Sequence, residues 1–426
     1  MFLKKIYFCF GLTIQRTGIL LIFGSTFSLA GSVITSNNFS AFGELLIVQP
    51  TPRIQLQFPY AYLNTDYVTS TTATGGTVTA ATNLVSLTTT ATSGSNALLT
   101  SNHILHYNPG QGCICEFTAI YGTGTANNDQ IAGIGNVQDG LFFGYNGTSF
   151  GILHRSSSSG SLVNDWIAQA SWNVDPMDGT GPSGMNLNHQ EGNLYKIQYP
   201  WLGFGVINFY IANTNATGWN LVHRIQYPNT QTIATLLNPS MQLYAQNINT
   251  AASTANTLRI CCMAGMVEGQ KNAVNTDVRN SYGMTTATSA SNTAVVAVLS
   301  IQNQPTFNSV TNQVSVFLDA ISIFNSSGST AYARVDLILN PSATLTPFTL
   351  INAATSVVAY SSASPSITDG KLLMSFYSDT STTVSFDLQR YNISLNPGDV
   401  LVAAATRVNG TGSSNMWISL TWKERF

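Results

Sequence analysis

The sequence predicts an all-β protein: two β-sandwich or jelly-roll domains in tandem after an apolar N-terminal arm. Three observations predict it. Only 8% of the 426 residues are charged, against about 25% in an average domain, so Thr, Ser, Asn and Gly supply the polar surface, and these residues favour strands and turns over helices. Short runs alternate apolar and polar residues, and turn dipeptides recur between them. The length suits two domains.

The N-terminal arm, residues 1–40, begins with Lys4-Lys5 and two apolar stretches, Ile6–Ile14 and Ile19–Ala30. Neither stretch reaches the roughly 18 residues that a spanning helix needs. Two interpretations stay open: a signal segment cleaved after Ser28-Leu29-Ala30, or an extended arm packed on the protein or on a neighbouring subunit. A membrane is a partner only if the segment is retained as an anchor.

The first domain, residues 41–270, is predicted to be a jelly-roll, lectin-like β-sandwich. Strict alternation in Arg53–Tyr60 places its apolar side chains on one face of a half-buried strand, and Phe204–Ile211 is apolar on both faces, as in a core strand. Thr69–Gly94 is a Thr/Ala/Gly tract, for which we expect an edge strand plus a mobile loop.

A polar linker at residues 271–290 is predicted to separate this domain from a second β-sandwich, residues 291–426. There Arg334–Leu339 and Val384–Leu388 alternate, and Val314–Ile323 is apolar on both faces.

The five cysteines give no disulfide framework, because their number is odd and four of them form two pairs of close neighbours in sequence. Cys113 and Cys115 would share one face of a strand. Adjacent Cys261 and Cys262 can bridge each other only in a strained ring. Buried free thiols are therefore expected, with Cys9 in the arm.

The sequence contains short matches to catalytic motifs, but the neighbouring residues lack the structure that these motifs require. We therefore predict a non-enzymatic protein with no catalytic residues, no metal and no cofactor. Gly147–Gly151 matches a nucleophile elbow but lacks the helix that must follow, so Asn146-Gly147 is interpreted as a hairpin turn. Glycoside hydrolysis needs two converging carboxylates, and nothing in the sequence pairs the candidates Glu116, Asp139, Asp165 and Glu191.

The loop Asp175–Gly184 is the candidate ligand site. Asp175 and Asp178 could gather a calcium ion, although an Asx-stabilised loop is the preferred interpretation. Trp172 and Trp201 flank the loop and could stack on a sugar ring. Predicted glycosylation acceptors within Asn-x-Ser/Thr triplets are Asn146, Asn215, Asn325, Asn392 and Asn409.

Several long strings in the first domain resemble a family of predicted virion structural proteins of large DNA viruses, phycodnavirus- and mimivirus-like, and of marine tailed phages. They span roughly residues 45–270 and are Pro50–Tyr60, Gly140–Gly147 with Gly151–Arg155, Asp178–Gly184, and Gln198–Gly205 with Leu221–His223. The first twenty residues depart from this family's pattern, and the C-terminal domain resembles it less.

The resemblance implies a particle component without known catalytic activity. The leading prediction is a virion structural protein exposed on the particle surface, as a minor capsid, fibre or host-attachment component; its partners would be other virion proteins, further copies of itself in a homo-oligomer, and a host surface glycan. Alternatives are a glycan-binding adhesion protein, secreted or at the cell surface, and a surface polysaccharide hydrolase. A net charge of -2 offers no basic surface for phosphates, so no nucleic-acid binding is expected.

Overall fold

The computed structural model describes residues 49–214, 218–269, 278–326, 331–409 and 414–425. The chain divides into two compact units, Met1–Lys271 and Asn272–Phe426. The described residues form strands and turns, with two 3-10 turns at Gln169–Ser171 and Gln389–Tyr391, which confirms the all-β prediction. Within the described ranges, no helix has the length and apolar character needed to cross a membrane. The predicted arm, its cleavage site and Cys9 lie outside these residues.

The first unit contains fifteen described strands. They are β1 (Thr51–Gln57), β2 (Val68–Ala73), β3 (Thr77–Ala81), β4 (Leu84–Thr89), β5 (Asn96–Leu105), β6 (Cys113–Ile120), β7 (Asn128–Gly135), β8 (Gly140–Asn146), β9 (Ser149–Ser156), β10 (Val163–Ala168), β11 (Asn193–Tyr199), β12 (Ile207–Ala212), β13 (Trp219–Ile225), β14 (Met241–Asn249) and β15 (Asn256–Val267).

These strands form two antiparallel sheets. One is eight-stranded, in the order β13-β12-β11-β6-β15-β4-β3, with β1 also paired to β15; the other is seven-stranded, in the order β10-β9-β8-β7-β14-β5-β2. A single apolar core joins side chains of both sheets. At its centre the Tyr195 ring lies 5.2 Å from that of Phe117 and 4.9 Å from that of Phe143. Burial of each such ring contributes about 2–3 kcal/mol.

Alternation along each strand decides which side chains enter this core. In β6, Cys115, Phe117 and Ala119 are buried between the sheets, whereas Glu116 and Thr118 are half-buried on the outer face. Because successive side chains of a strand point to opposite faces, the eight-stranded sheet keeps a polar outer face.

The strand predicted at Arg53–Tyr60 is present as β1, and Ile54, Leu56 and Phe58 are buried as expected. The strand ends at Gln57, so Tyr60 is 64% exposed instead of sharing the core face. At Phe204–Ile211 the regular strand starts only at Ile207, which leaves Phe204 exposed.

The prediction of an edge strand plus mobile loop at Thr69–Gly94 is wrong in its second part, because the segment supplies three strands. β2 is an edge strand, but β4 lies between β3 and β15. Val85 and Leu87 are fully buried. The two buried apolar side chains on one face stabilise β4 as a strand. Its threonines suit a strand as well, because their backbone groups pair with the neighbouring strands and their side chains tolerate contact with solvent.

The interpretation of Asn146-Gly147 as a hairpin turn is confirmed. Asn146 pairs with Ser149 in the β8–β9 hairpin, and Gly147, the first residue of the two-residue loop, has a φ of 58°. Glycine at this place suits a type II′ turn.

The second unit contains fourteen described strands. They are β16 (Val278–Gly283), β17 (Thr288–Ala290), β18 (Val296–Asn303), β19 (Thr306–Phe307), β20 (Val310–Thr311), β21 (Ser315–Ser326), β22 (Ala333–Leu339), β23 (Thr349–Leu350), β24 (Val358–Ser361), β25 (Lys371–Ser378), β26 (Thr382–Asp387), β27 (Ser394–Leu395), β28 (Val400–Arg407) and β29 (Ser414–Arg425).

This unit is a second antiparallel sandwich. One sheet has the order β16-β29-β21-β26, with β17 and β27 paired to β29 and β21, and the other has the order β23-β24-β18-β28-β22-β25. The strands expected at Val314–Ile323, Arg334–Leu339 and Val384–Leu388 are present as β21, β22 and β26, and a core between the sheets includes side chains from each of these three segments.

Residues 271–277 of the predicted linker lie outside the described residues, and its remainder, 278–290, contains two strands where a linker was expected. Val278–Gly283 and Thr288–Ala290 both pair with β29 at the edge of the second unit's sheet. An edge strand needs little apolar sequence, because backbone hydrogen bonds hold it and one face meets water. Here Ala290 is the residue that enters the core.

Candidate functional site

The predicted ligand loop is held together by its own backbone. Asp175 is buried, and its two carboxylate oxygens accept hydrogen bonds from the Met177 and Ser183 N–H groups at 2.9 and 2.8 Å. Asp178 accepts from the Thr180 N–H and hydroxyl, which holds its pKa below the ordinary value although it is exposed. The Asx-stabilised interpretation is therefore confirmed, and both carboxylates serve turns.

The two tryptophans of the predicted site differ in exposure. Trp172 is 5% exposed and packs edge-on against Phe143 and Phe150. Trp201 is half-buried and packs edge-on against Tyr107, with ring centroids 5.4 Å apart. Neither indole N–H has a hydrogen-bond partner. Trp172 is too buried to stack on a sugar ring, whereas sugar stacking at the half-buried Trp201 stays a prediction.

The predicted glycosylation acceptors differ in their exposure to solvent. Asn146 and Asn392 are exposed, as is Asn409, whose side-chain oxygen accepts from the Tyr332 N–H. Asn215 lies outside the described residues. Asn325 is fully buried and donates to the carbonyls of Ala331 and Ser378, so the prediction of a glycan at this position is wrong.

The four acids considered for hydrolysis are spread over the first unit. Asp139 is buried and accepts from the backbone N–H groups of Leu237 and Asn238, so it closes a loop. Asp165 and Glu191 are exposed on β10 and in the turn before β11. Glu116 lines the cleft described next.

This cleft, of about 670 Å³, lies on the outer face of the eight-stranded sheet. Its volume falls in the range of small-molecule sites. It runs from the segment after β1 across β15 and β6 towards β11 and β13. The lining side chains include Gln55, Gln57, Tyr60, Tyr62, Asn64, Tyr67, Glu116, Thr118, Leu194, Trp219 and Cys262.

One wall of the cleft is aromatic and open to solvent. Tyr60, Tyr62 and Tyr67 are 64%, 60% and 54% exposed. The rings of Tyr60 and Tyr62 stack on each other at 5.8 Å with an interplanar angle of 20°. Each therefore has one face and its hydroxyl free for a ligand.

The segment that carries this wall is anchored by hydrogen bonds within a turn and by one hydrogen bond from β5. Asn64 accepts from the N–H groups of Asp66, Tyr67 and Val68. Asn102 of β5 donates through its side chain to the Thr65 carbonyl at 2.6 Å. The tyrosines thus stand on a fixed turn.

The floor of the cleft belongs to two rows of side chains aligned across the strands, one of which continues beyond the lining to Lys196 and Tyr210. Gln55 pairs with Ala264, Ala264 with Glu116, Glu116 with Lys196, and Lys196 with Tyr210. A parallel row contains Gln57, Cys262 and Thr118, whose hydroxyl accepts from the Cys262 N–H at 3.1 Å. The alternation of β6 and β11 brings amides, hydroxyls and one ion pair to the same face.

The ion pair of this floor joins Lys196 and Glu116, with 3.9 Å between Nζ and Oε1. Burial lowers the pKa of Lys196 and raises that of Glu116, and each partner partly offsets the shift of the other. The ammonium also lies 5.2 and 5.3 Å from the ring centroids of Tyr210 and Trp219. The cation is thus held between two rings and a carboxylate.

A polar network beside the cleft fixes the Tyr210 ring. Its hydroxyl donates to the side-chain oxygen of Gln198 at 2.9 Å, and Gln198 donates in turn to Glu268 at 2.5 Å. Asn208 donates to the same oxygen of Gln198 and accepts from Arg224. Because these groups are buried and satisfied, the ring cannot swing towards a ligand.

The sequence prediction missed this site. Tyr60 was assigned to the core face of its strand, and Tyr62, Tyr67 and Gln57 carried no motif. The signal present in the sequence was the cluster of three tyrosines within eight residues, directly after a strand whose outer face carries two glutamines.

In the part of the chain that the structure describes, no group of three or more His, Cys, Asp or Glu side chains could hold a metal ion. Cys113 and Cys115 are free and buried on one face of β6, as expected, whereas Cys262 is exposed.

No family model matches the chain, and no curated protein matches it. Solved structures are similar over about half of it. A glycosyl hydrolase family 16 protein of Mycobacterium smegmatis shares 12% identity, covers 50% of this chain and 100% of its own, and has a TM-score of 0.33. Arcelin-5, a lectin-like defence protein of Phaseolus vulgaris, shares 11% identity over 51% and 98% of the two chains at a TM-score of 0.32.

The lectin UEA-II, solved in complex with galactose, shares 9% identity and covers 51% of this chain and 100% of its own at a TM-score of 0.32. At such TM-scores we draw nothing about function from these similarities. The function of this chain has to be inferred from the residues of its own cleft.

Proposed function

We propose that the chain is a glycan-binding protein that holds a neutral oligosaccharide in the cleft of its first unit. The observation that carries this is the pair of stacked, exposed tyrosines, Tyr60 and Tyr62, beside a floor of amides and hydroxyls. Aromatic faces suit the apolar faces of sugar rings, and Gln55, Gln57 and Thr118 supply donors and acceptors for sugar hydroxyls.

The charge of the cleft favours a neutral ligand. Among the described residues that line it, Glu116 is the only ionisable side chain apart from tyrosines and a cysteine. Lys196 compensates this carboxylate from the side, so no free cation remains in the lining to recognise a sugar acid. A sialylated or sulfated glycan would therefore find no unpaired cation among these lining residues to bind its charge.

Titration of the whole protein with a panel of neutral and acidic oligosaccharides tests the proposal. Removing both rings with Tyr60→Ala and Tyr62→Ala should weaken the best neutral ligand about tenfold, since each aromatic contact contributes about 0.5–1.5 kcal/mol. Tyr377→Ala and Tyr391→Ala are matched controls, because those rings are equally exposed, at 64% and 60%, in the second unit. Equal affinity of both double variants, or preference for acidic glycans, would contradict it.

Hydrolysis of a surface polysaccharide is the second candidate, and the raised pKa of Glu116 favours it. A raised carboxyl pKa is the property that a general acid needs in glycoside hydrolysis. Glu116→Gln separates the two functions. A binding protein should keep its oligosaccharide affinity within about threefold, whereas a hydrolase should lose release of reducing sugar and retain binding.

Display on a virus particle is compatible with glycan binding and stays a prediction that rests on the sequence strings of the first domain. Mass spectrometry of purified particles, quantifying this chain against the major capsid protein, tests it. A high copy number would support a shell or fibre component. Absence from particles would leave a secreted or cell-surface adhesion protein.

A further inference from the structure

Strand β15 contains a bulge at the floor of the cleft. Ile260 pairs with Ala119 and Met263 with Phe117, so two residues of β15, Cys261 and Cys262, stand opposite the single residue between them on β6. Ile260 and Met263 are both in the core. A bulge inserts one extra residue and re-aims its side chains.

The bulge brings the two thiols together outside the core. Their sulfur atoms lie 3.7 Å apart, Cys262 is exposed and Cys261 is half-buried. Cys262 lines the cleft. Its backbone is held from both sides, since it pairs with Gln57 of β1 and donates its N–H to the Thr118 hydroxyl of β6.

We propose that Cys261 and Cys262 form a reversible thiol-modification site, which a small-molecule disulfide such as oxidised glutathione converts into a vicinal disulfide in the floor of the cleft. The regulatory part of this inference, that closing the ring changes oligosaccharide binding, rests on the proposed function. The modification itself does not.

The reaction proceeds by two thiol–disulfide exchanges. The Cys262 thiolate attacks one sulfur of the small disulfide, breaks its S–S bond and releases one thiolate. The Cys261 thiolate then attacks the Cys262 sulfur of the mixed disulfide and releases the second. The two protons of the cysteine thiols end on the two released thiolates, so the protein loses two electrons and the small disulfide gains them.

Adjacent cysteines make this bond easy to reverse. Their Cα atoms are about 3.8 Å apart across a trans peptide, closer than the usual 4.4–6.8 Å of a disulfide. A strained disulfide has a high reduction potential and belongs to the labile class. Burial raises the pKa of Cys262 to about 11, so the rate of the first exchange should rise with pH through the neutral range.

Closing the ring alters the cleft at one defined place. The sulfur of Cys262 must move about 1.7 Å nearer that of Cys261 to reach the bond length of about 2.05 Å, and a thiol donor is lost. Gln57 and Thr118, the immediate neighbours of Cys262, are the polar groups assigned to the sugar, so ligand contacts change where the ring forms.

Intact-protein and peptide mass spectrometry after treatment with oxidised glutathione tests the site. The expected product lacks two hydrogen atoms and retains no glutathione, with both changes mapped to Cys261-Cys262. Cys261→Ser should instead retain one glutathione on Cys262. Glutathione retained on Cys261 or Cys262 of the wild type, or closure between other cysteines, would overturn the site. Cys115→Ser is the control, because that thiol is buried and should not change the product.

Oligosaccharide titration of the reduced and oxidised proteins tests the regulation. At least a threefold difference in Kd is expected, and it should disappear in Cys262→Ser. Equal affinities would overturn the regulation. If the ring forms but neither state binds any oligosaccharide, the proposed function fails while the modification site stands, so the two failures are distinguishable.

Discussion

The Lys196 ammonium lies 3.9 Å from the carboxylate of Glu116, a residue of the cleft lining, and the two residues stand on neighbouring strands of the eight-stranded sheet. The two groups are the charged members of a row that otherwise presents amides, small side chains and a tyrosine. Burial disfavours the charged form of both groups, so each charge is stabilised by the other. The pair therefore determines the net charge near the cleft.

Lys196→Met should raise the pKa of Glu116 further, because the cation that opposes the effect of burial is removed. The free energy of unfolding should fall by about 1 kcal/mol, as for a partly exposed pair. Carboxyl chemical shifts followed over pH measure the first effect and urea unfolding the second. Lys196→Arg keeps the charge and is the control; an unchanged Glu116 titration in Lys196→Met would contradict the pairing.

Acid should destabilise the first unit as pH falls from 6.5 towards 4. Burial lowers the pKa of His189 and of His223 to about 4, whereas an unfolded histidine titrates near 6.5. Between these values the unfolded chain binds more protons, so the free energy of unfolding falls as pH falls, by up to about 1.4 kcal/mol per pH unit for each group.

His189→Gln should reduce the slope of the unfolding free energy against pH by the contribution of one proton. Urea unfolding at pH 7, 5.5 and 4.5 measures this slope. If the variant follows the wild-type curve, His189 is not a source of the acid sensitivity.

A buried asparagine network should contribute strongly to stability. Asn128 donates to the side-chain oxygens of Asn247 and Asn249 at 2.7 and 2.8 Å, and Asn247 donates to the Leu87 and Asn256 carbonyls. Asn247→Ala leaves these buried partners unsatisfied, so we expect a loss of about 3 kcal/mol in urea unfolding. Asn164→Ala, which removes one exposed hydrogen bond to Arg155, should lose less than about 0.5 kcal/mol; equal losses would contradict a special role for the network.

Asp175→Ala should lower the free energy of unfolding by about 2 kcal/mol, since two backbone N–H groups of the loop lose their acceptor. Added calcium should leave the wild-type Tm unchanged, because both carboxylate oxygens are already engaged. Differential scanning fluorimetry measures both effects. A rise in Tm with calcium that Asp175→Ala abolishes would restore the ion-binding interpretation of this loop.

The sequence by itself determined the fold class. Period-two alternation in segments such as Arg53–Tyr60 and Arg334–Leu339 predicted strands, because the face of a strand is a local property of the residue order. The Asn146-Gly147 turn, the Asx bonds of Asp175 and the shared face of Cys113 and Cys115 followed for the same reason, since each depends on residues close in sequence.

Tertiary structure alone decided which of these residues meet a ligand. Trp172 stands beside a polar loop in the sequence, and only its packing against Phe143 and Phe150 shows that it is buried. Exposure of Tyr60 depends on β1 ending at Gln57. The row that joins Gln55, Glu116 and Lys196 requires the register of four strands far apart in the chain, and no local pattern encodes such a register.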